Sequence, residues 1–382
     1  MTGLKCAIMT GSTIVIDNGS YTCKVGPSDA EAPSSIFSTY VARYGRSVSA
    51  LVGLGKQHWI GEEAWKVRGI SRPRRPVENG YITRFDDMEL LWKDVFEGHV
   101  HADPKEHPIL MTEEMGNPKH GREKTAQIVF ESLEAPAFYL AKQSVLALYA
   151  SGRASGAVFS CGYGQSFAVP VYEGFALRHA VSKLDIGGCD LTDFFNRLIG
   201  ERGYAISTNA EIADGSKCKT GVCYVAQNYG RELLRLSAPG MSVETPFELP
   251  DGKTVHVDKE RFMVPEALFN LSMIGFEAGG AHYALQKSIG KCDAEIQHLL
   301  YQNIVPAGGS TKYPGFVERL RSEMVSINPP SALINVISSP DPSKSAWVGG
   351  SVVASLSTFK YMCISAQEYE ETGSVIVHRK CV

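Results

Sequence analysis

The sequence predicts an α/β protein built in two related halves, and three observations carry that expectation. Apolar runs bounded by glycine alternate with segments of helical periodicity along the chain. Two glycine-tipped hairpins, Ile14 to Gly26 (IVIDNGSYTCKVG) and Gly156 to Pro170 (GAVFSCGYGQSFAVP), share one pattern. In each, an apolar run leads into a small polar tip and back to apolar residues, which reads as strand, tight turn, strand. Finally, 382 residues exceed what one compact core organises, so two or more domains are expected.

Composition narrows the function. The chain is 44% apolar and 21% charged, with a net charge of −3, ordinary for a soluble protein. That charge gives no bulk attraction to nucleic acid or to membranes, so neither is an expected partner. The nine cysteines fall in no CxxC pair, which argues against a zinc site or a disulfide framework and for reduced thiols in a cytosolic or nuclear protein. The first residues lack the basic and apolar regions of a signal peptide, and no run reaches the length of a membrane span.

The first hairpin carries the elements of a phosphate clamp. Asp17 is placed to hold a metal-bound water, Gly19 and Ser20 offer N–H and hydroxyl donors, and Lys24 supplies positive charge. The segment 49–55 is an apolar, glycine-bracketed loop, and 71–76 (SRPRRP) reads as a basic, solvated linker. Asp86 to Glu97 has helical periodicity with Asp86 placed to cap it. His107 to Met111 reads as a strand. Gly121 to Leu133 and Pro136 to Tyr149 read as consecutive helices, the second opened by proline and carrying Gln143, with Gly152 ending it.

The second hairpin opens the second half, and its tip, Ser160-Cys161-Gly162-Tyr163-Gly164, has no acid. Gly187-Gly188 leads into a helix to about Arg202, a moderately specific nucleotide contact. Asn209 to Gly230 is helical by position, yet Gly215 and Gly221 make it weak or broken. Phe247 to Val257 reads as a hairpin turning at Asp251-Gly252, and Pro265 to Asn270 as the start of a helical region. Ile304 to Gly315 is a strand, a turn at Gly308-Gly309 and a helix start, a third loop suited to a nucleotide. A strand at Ile334 to Ile337 follows. Trp347 to Gly350 then leads into a helix from Ser351 to Phe359.

Taken together, IDNGSYTCKVG, FDDMELLW, REKTAQIVFE, LYASGRASG, LTDFFNRLIGERGY, AGGSTKYPG and WVGGS, in this order, resemble actin from about Val15 to the last residue. The resemblance implies the fold shared by actin, sugar kinases and heat-shock ATPases: two α/β halves around a nucleotide cleft. It implies one outer subdomain at 1–38, 76–150 and 344–382, with a small one at 39–75. The other half would comprise 151–186 with 277–343, and 187–276. ATP or ADP with magnesium is the implied cofactor. Its implied contacts are Asp17 (to the metal, through water), Gly19, Ser20, Lys24, Gly162, Gly164, Gly188, Lys219, Gly308, Gly309 and Tyr313, with Gln143 orienting the attacking water.

The departures from the family pattern shape the functional expectation. The second phosphate hairpin normally carries two aspartates, and here Ser160 and Tyr163 stand in their places. Tyr21 replaces a glycine at the first tip, Phe167 the histidine near the attacking water, Asn79 an often-methylated histidine, and Thr220, Ser216 and Lys312 a glutamate, an arginine and a methionine. The expectation is therefore a divergent actin or actin-related protein, a structural subunit with a degenerate cleft in which nucleotide binding is weak or lost and hydrolysis is lost or very slow. The alternative is a nucleotide-binding, filament-forming actin with weak ATPase activity; a small-molecule kinase is disfavoured because actin-like segments reach the C-terminus.

Expected partners are proteins of a larger assembly, seated as an amphipathic helix in a groove at Tyr149, Ala150, Gly152, Val353, Leu356, Thr358 and Met362, or actin-like protomers. The spacing of Val353, Leu356 and Met362 suggests one helical face. The resemblance implies a cytoplasmic, cytoskeletal setting, with a nuclear complex or an axoneme as alternatives.

Overall fold

The structure, a computed structural model, describes residues 11–43, 58–67, 71–204, 209–238, 241–249, 252 and 254–382. The apolar loop at 49–55, and all of the Pro250-Asp251-Gly252-Lys253 turn but Gly252, lie outside them. The chain forms two compact units, Met1–Arg153 with Lys344–Val382, and Ala154–Ser343.

The first unit opens with β1 (Ile14–Asn18) and β2 (Thr22–Pro27), an antiparallel hairpin in which Asp17 stands opposite Lys24. β3 (Ser35–Ser38) pairs antiparallel with β2. On the other side of β1, β4 (Ile109–Glu113) and β5 (Ala137–Lys142) run parallel to it. Three helices of this unit are α1 (Phe85–Asp94), α2 (Lys119–Gln127) and α3 (Gln143–Ala150). Successive side chains of β1 enter different cores, as a strand covered on both faces requires. Ile14 and Ile16 join Met88, Leu91 and Trp92 of α1, whereas Val15 joins Leu146 of α3 and Trp347.

Two readings of this region are corrected. Asp86 does not cap α1; Arg84 holds the cap position without a side-chain bond, and Asp86 sits in the first turn, where a carboxylate complements the helix dipole. Pro136 to Tyr149 is not one helix: its first half is β5, and the helix starts only at Gln143. Short apolar runs buried on both faces carry no alternation, so periodicity cannot separate strand from helix there.

The second unit repeats the plan. β6 (Gly156–Cys161) and β7 (Ser166–Tyr172) form its hairpin, with β8 (Phe175–Ala176) and β9 (Ser182–Leu184) paired to β7. α4 (Gly188–Glu201) and α5 (Asn209–Val222) pack on the core that holds Phe159, Phe195 and Phe316. β10 (Ile304–Ala307) lies parallel to β6, and α6 (Phe316–Ile327) follows it. The segment expected to be weakly helical is two helices, α5 and Tyr229–Leu236. Its glycines do not break it: Gly215 admits Asn196, whose Oδ1 lies 2.0 Å from where a Cβ would stand, and Gly221 admits Phe247 at 3.1 Å. At Ile334 to Ile337 there is only one parallel bridge, Val336 to Ile304.

Back in the first unit, α7 (Ser345–Ala354) starts six residues before the expected Ser351 and runs through both glycines. Strand Ile364–Ser365 then adds antiparallel to β5, completing a six-stranded sheet. The glycines inside α7 are there for proximity. A Cβ at Gly349 would lie 1.8 Å from the Leu146 carbonyl of α3, and one at Gly350 would lie 2.8 Å from Val15. Backbone stands in the way at Gly349, so no rotamer relieves the clash. Gly349→Ala should therefore cost about 3 kcal/mol or more, read as a lowered denaturant midpoint. Gly200→Ala in α4, where a Cβ meets nothing within 4 Å, should be neutral or gain up to about 1 kcal/mol.

Candidate functional site

In each unit the polar residues gather at the carboxyl ends of the parallel strands, where open α/β sheets place their ligands. In the first unit these are the ends of β1, β4 and β5. Asp17 is buried, with 3% of its surface exposed. Lys24 Nζ donates to its Oδ2 at 2.9 Å, and Thr112 Oγ1 and Gln143 Nε2 donate to its Oδ1 at 2.7 and 3.1 Å. Gln143 Nε2 also lies 3.1 Å from Thr112 Oγ1. The first residue of α3 is thus turned onto the hairpin. Asn18 is fixed from both sides: its N–H donates to Thr112, and its side-chain oxygen accepts from Trp92 of α1.

The tip is equally determined. A Cβ at Gly19 would meet the Thr22 carbonyl at 2.6 Å, so the turn closes only over glycine. Ser20 Oγ accepts from the Gly80 N–H at 3.0 Å, and the Ser20 carbonyl accepts from Thr39 Oγ1 and Arg75. The supposedly solvated linker is instead fastened. Arg74 exchanges backbone bonds with Val41, and the Arg75 guanidinium lies over the rings of Tyr21 and Tyr40.

Sequence reasoning missed the acids beside Thr112. Glu113 is buried and accepts from Arg122 at 3.0 Å, Lys142 at 2.6 Å and Asn117 at 2.9 Å. Arg122 continues to the Cys381 carbonyl, tying β4 to the C-terminus. Glu114 is different. Its Oε1 accepts only the Met115 N–H, and among the described residues no cation pairs with it. Burial pushes its carboxyl up to about 7, with Asp17 and Glu113 acting in the same direction and the Met115 N–H and Lys142 opposing. Its position at the end of a parallel strand was the available signal.

In the second unit the loops dock on one another. The tip closes through Gly162 N–H to the Gln165 carbonyl at 3.1 Å. The Gly162 carbonyl accepts from the Gly188 N–H at 2.9 Å and from Ser310 Oγ at 3.1 Å, and the Tyr163 carbonyl accepts from the Cys189 N–H at 2.8 Å. Two N–H groups at the start of α4 are therefore already engaged by protein. Gly164 backs onto Gly187, where a Cβ would lie 2.4 Å from the Tyr163 carbonyl. Gly308 has φ 90°, and a Cβ there would lie 2.3 Å from the Cys161 carbonyl, while a Cβ at Gly309 would meet nothing within 4 Å.

Lys219 is 3% exposed and donates to the Gly188 carbonyl at 2.7 Å and Thr192 Oγ1 at 2.9 Å. Burial brings its ammonium down to about 8, against opposing contributions from Cys223, Cys161, Cys189 and Asp193. Tyr313 is buried in the core of this unit. Ser160 stands across from Phe167 in the β6–β7 ladder, and Asp190 accepts from the Gly187 N–H at 2.7 Å. Lys312 pairs with Asp341 at 3.1 Å, and Thr220 bonds back into its own helix.

Two hairpins, each beside a parallel strand whose carboxyl end carries the polar residues, make a duplicated plan, and the family follows from the match over its whole length. The family model for actin matches residues 9–382. The chain belongs to the actin family. Its α/β fold is that of actin.

At the first hairpin the Asp17 carboxylate is paired with Lys24, whereas the tip of the second, Ser160-Cys161-Gly162-Tyr163-Gly164, carries no carboxylate. Among the described residues no cluster of three or more metal-ligating side chains occurs, and no helix is long and apolar enough to cross a membrane. The eight described cysteines are free thiols, seven of them buried.

The groove residues need one correction. Val353, Leu356 and Met362 do not share a helix: α7 ends at Ala354, Leu356 and Thr358 follow it, and Met362 belongs to the short helix Phe359–Met362. Val353 is core at 4% exposure, and Leu356 is 50% exposed. Tyr149 lies in α3, and Gly152, at φ 72°, turns the chain beyond it.

Glu114 yields a pH dependence with a definite sign. Its folded value lies above the ordinary 4.5, so the unfolded chain releases the proton first. Stability is unaffected below about pH 4.5, falls between there and about pH 7, and is level above. The loss should be on the order of 3 kcal/mol. Glu114→Gln should remove this slope and raise stability at pH 8, as read from urea unfolding at pH 5 and pH 8.

Proposed function

We propose that this protein is a structural subunit of the actin family, working through protein–protein contacts with a degenerate nucleotide cleft. The observation that carries the reading is the second hairpin, where Ser160 stands opposite Phe167 and neither Ser160 nor Tyr163 offers a carboxylate. A magnesium-bound triphosphate needs negative oxygen ligands around its metal, directly or through water. Losing such supporting groups typically costs about 10–100-fold each in affinity or activity. The nucleotide, when bound, would supply phosphate charge and its metal; Asp17, Ser20, Lys24, Lys219, Gly308, Gly309 and Tyr313 would still hold it, and Gln143 would orient a water. Binding would be weak, hydrolysis slow or absent, and filament turnover by hydrolysis would fail with it.

Four subdomains, with the boundaries given by the resemblance, and a cytoskeletal or complex-bound setting belong to the same reading. A partner helix would seat beside the exposed Leu356, Val352 and Tyr361, which are 50%, 47% and 72% exposed.

The cleft is tested by denaturing gently purified protein and identifying released nucleotide, alongside a magnesium-dependent ATPase assay. Little nucleotide and no turnover are expected; a steady rate abolished by Gln143→Ala would overturn the reading. Ser160→Asp with Tyr163→Asp should raise ATP affinity by about 10-fold or more in calorimetric titration. Leu356→Asp, on an exposed residue, should leave the protein folded yet lower recovery of its native partners in pull-down; unchanged recovery would remove the groove from the reading.

A further inference from the structure

Arg75 is fastened in a way that neither the family resemblance nor the cleft chemistry calls for. Its guanidinium carbon lies 4.7 Å from the centre of the Tyr21 ring and 4.5 Å from that of Tyr40. One terminal nitrogen donates to the Ser20 carbonyl at 3.2 Å and the other to the Tyr40 hydroxyl at 2.8 Å. These contacts join three separate pieces of the first unit: the hairpin tip, the segment after β3 and the 71–76 strap. Backbone bonds run through the same place. Thr39 N–H donates to the Tyr21 carbonyl at 3.2 Å, and Val41 and Arg74 exchange bonds at 2.8 and 2.9 Å. Tyr40 is backed by Trp65, ring centres 5.0 Å apart.

In the reading proposed above the tip is the part of the hairpin that would meet phosphate oxygens, and Arg75 anchors it through Ser20 and Tyr21. We propose that Arg75 is a gatekeeping residue: by clasping Tyr21 and Tyr40 it holds the first hairpin tip closed against a polyphosphate ligand, and it sets how weakly that ligand binds. The proposal deepens the degenerate-cleft reading and rests on it. Planarity is the essential property. A guanidinium stacks on two rings while its in-plane N–H groups reach two oxygens, whereas an ammonium keeps the charge without the stack. A polyphosphate entering the tip has to displace these contacts first, so the fraction of open tip multiplies its apparent affinity.

The test uses the full chain and three variants: Arg75→Ala, Arg75→Lys and Tyr40→Phe, the last keeping the ring but losing the hydroxyl. Hydrogen exchange read by mass spectrometry over residues 20–22 and 39–41 reports the clasp without any ligand. Calorimetric titration with inorganic tripolyphosphate reports the gate. Arg75→Ala should speed exchange in both segments by roughly tenfold or more and raise tripolyphosphate affinity by roughly tenfold, with Arg75→Lys intermediate and Tyr40→Phe smallest. Unchanged exchange in Arg75→Ala and Arg75→Lys would show that the stack does not hold the tip. Faster exchange with equal or weaker tripolyphosphate binding would show that Arg75 does not close the site. A wild-type chain that binds magnesium ATP tightly and turns it over would instead overturn the degenerate-cleft reading, and the exchange result would still stand.

Discussion

The first unit is organised by one buried carboxylate. Asp17 gathers the carboxyl ends of three parallel strands onto itself: its own β1, β4 through Thr112, and the junction of β5 with α3 through Gln143. Lys24, across the hairpin, neutralises it at 2.9 Å. A buried ion pair loses much of its Coulombic gain to desolvation, so its value here is positional. Every acceptor direction that Asp17 uses points at a different element, and any shift of β4 or α3 leaves a buried charge under-bonded. Asn18, locked between Thr112 and Trp92, carries the same constraint into the core helix α1.

Among the described residues of the second unit no carboxylate gathers the strand ends in this way. Its hairpin tip is held by backbone, with carbonyls 162 and 163 accepting from the first N–H groups of α4 and from Ser310. Two of the glycines that resemble phosphate-loop glycines are required by this docking alone, since a side chain at Gly187 or Gly308 would strike a carbonyl at 2.4 or 2.3 Å. Lys219 follows the same logic: an ammonium buried among thiols and bonded to a carbonyl and a hydroxyl has a structural task without any nucleotide.

How much of this was legible beforehand divides along physical lines. The hairpins and the α/β alternation follow from local pattern, because strand alternation and turn chemistry are encoded within a few residues. β5 was read as helix because a strand buried on both faces has no period to detect. α7 begins six residues before the expected Ser351; the close approach of the Leu146 carbonyl to Gly349 is a fact of tertiary packing that no window of sequence contains. Arg75 was assigned to solvent since its neighbours are basic and proline-rich, yet its ring partners lie 54 and 35 positions away. Glu114 escaped notice because an acid after a strand is ordinary until burial removes its solvent.

These misreadings bear on function as well as on fold. In a chain that shares a family's backbone plan, glycines and apolar runs keep the loops in place whether or not the ligand is still used. The informative positions are those where a charge is buried or lost. The tip of the second hairpin carries no charged side chain at Ser160 or Tyr163. In the first unit a carboxyl is buried at Glu114, which forms no ion pair among the described residues, and the half-buried Arg75 guanidinium lies over the rings of Tyr21 and Tyr40. Ser160 lies in the β6 ladder, Tyr163 in the tip that follows it, and Glu114 just past the end of β4. Side chains at such places can differ while the hydrogen-bonded ladder of the sheet is kept. The subunit proposed above, working by contact with other proteins, would need that scaffold and no carboxylate at the second tip.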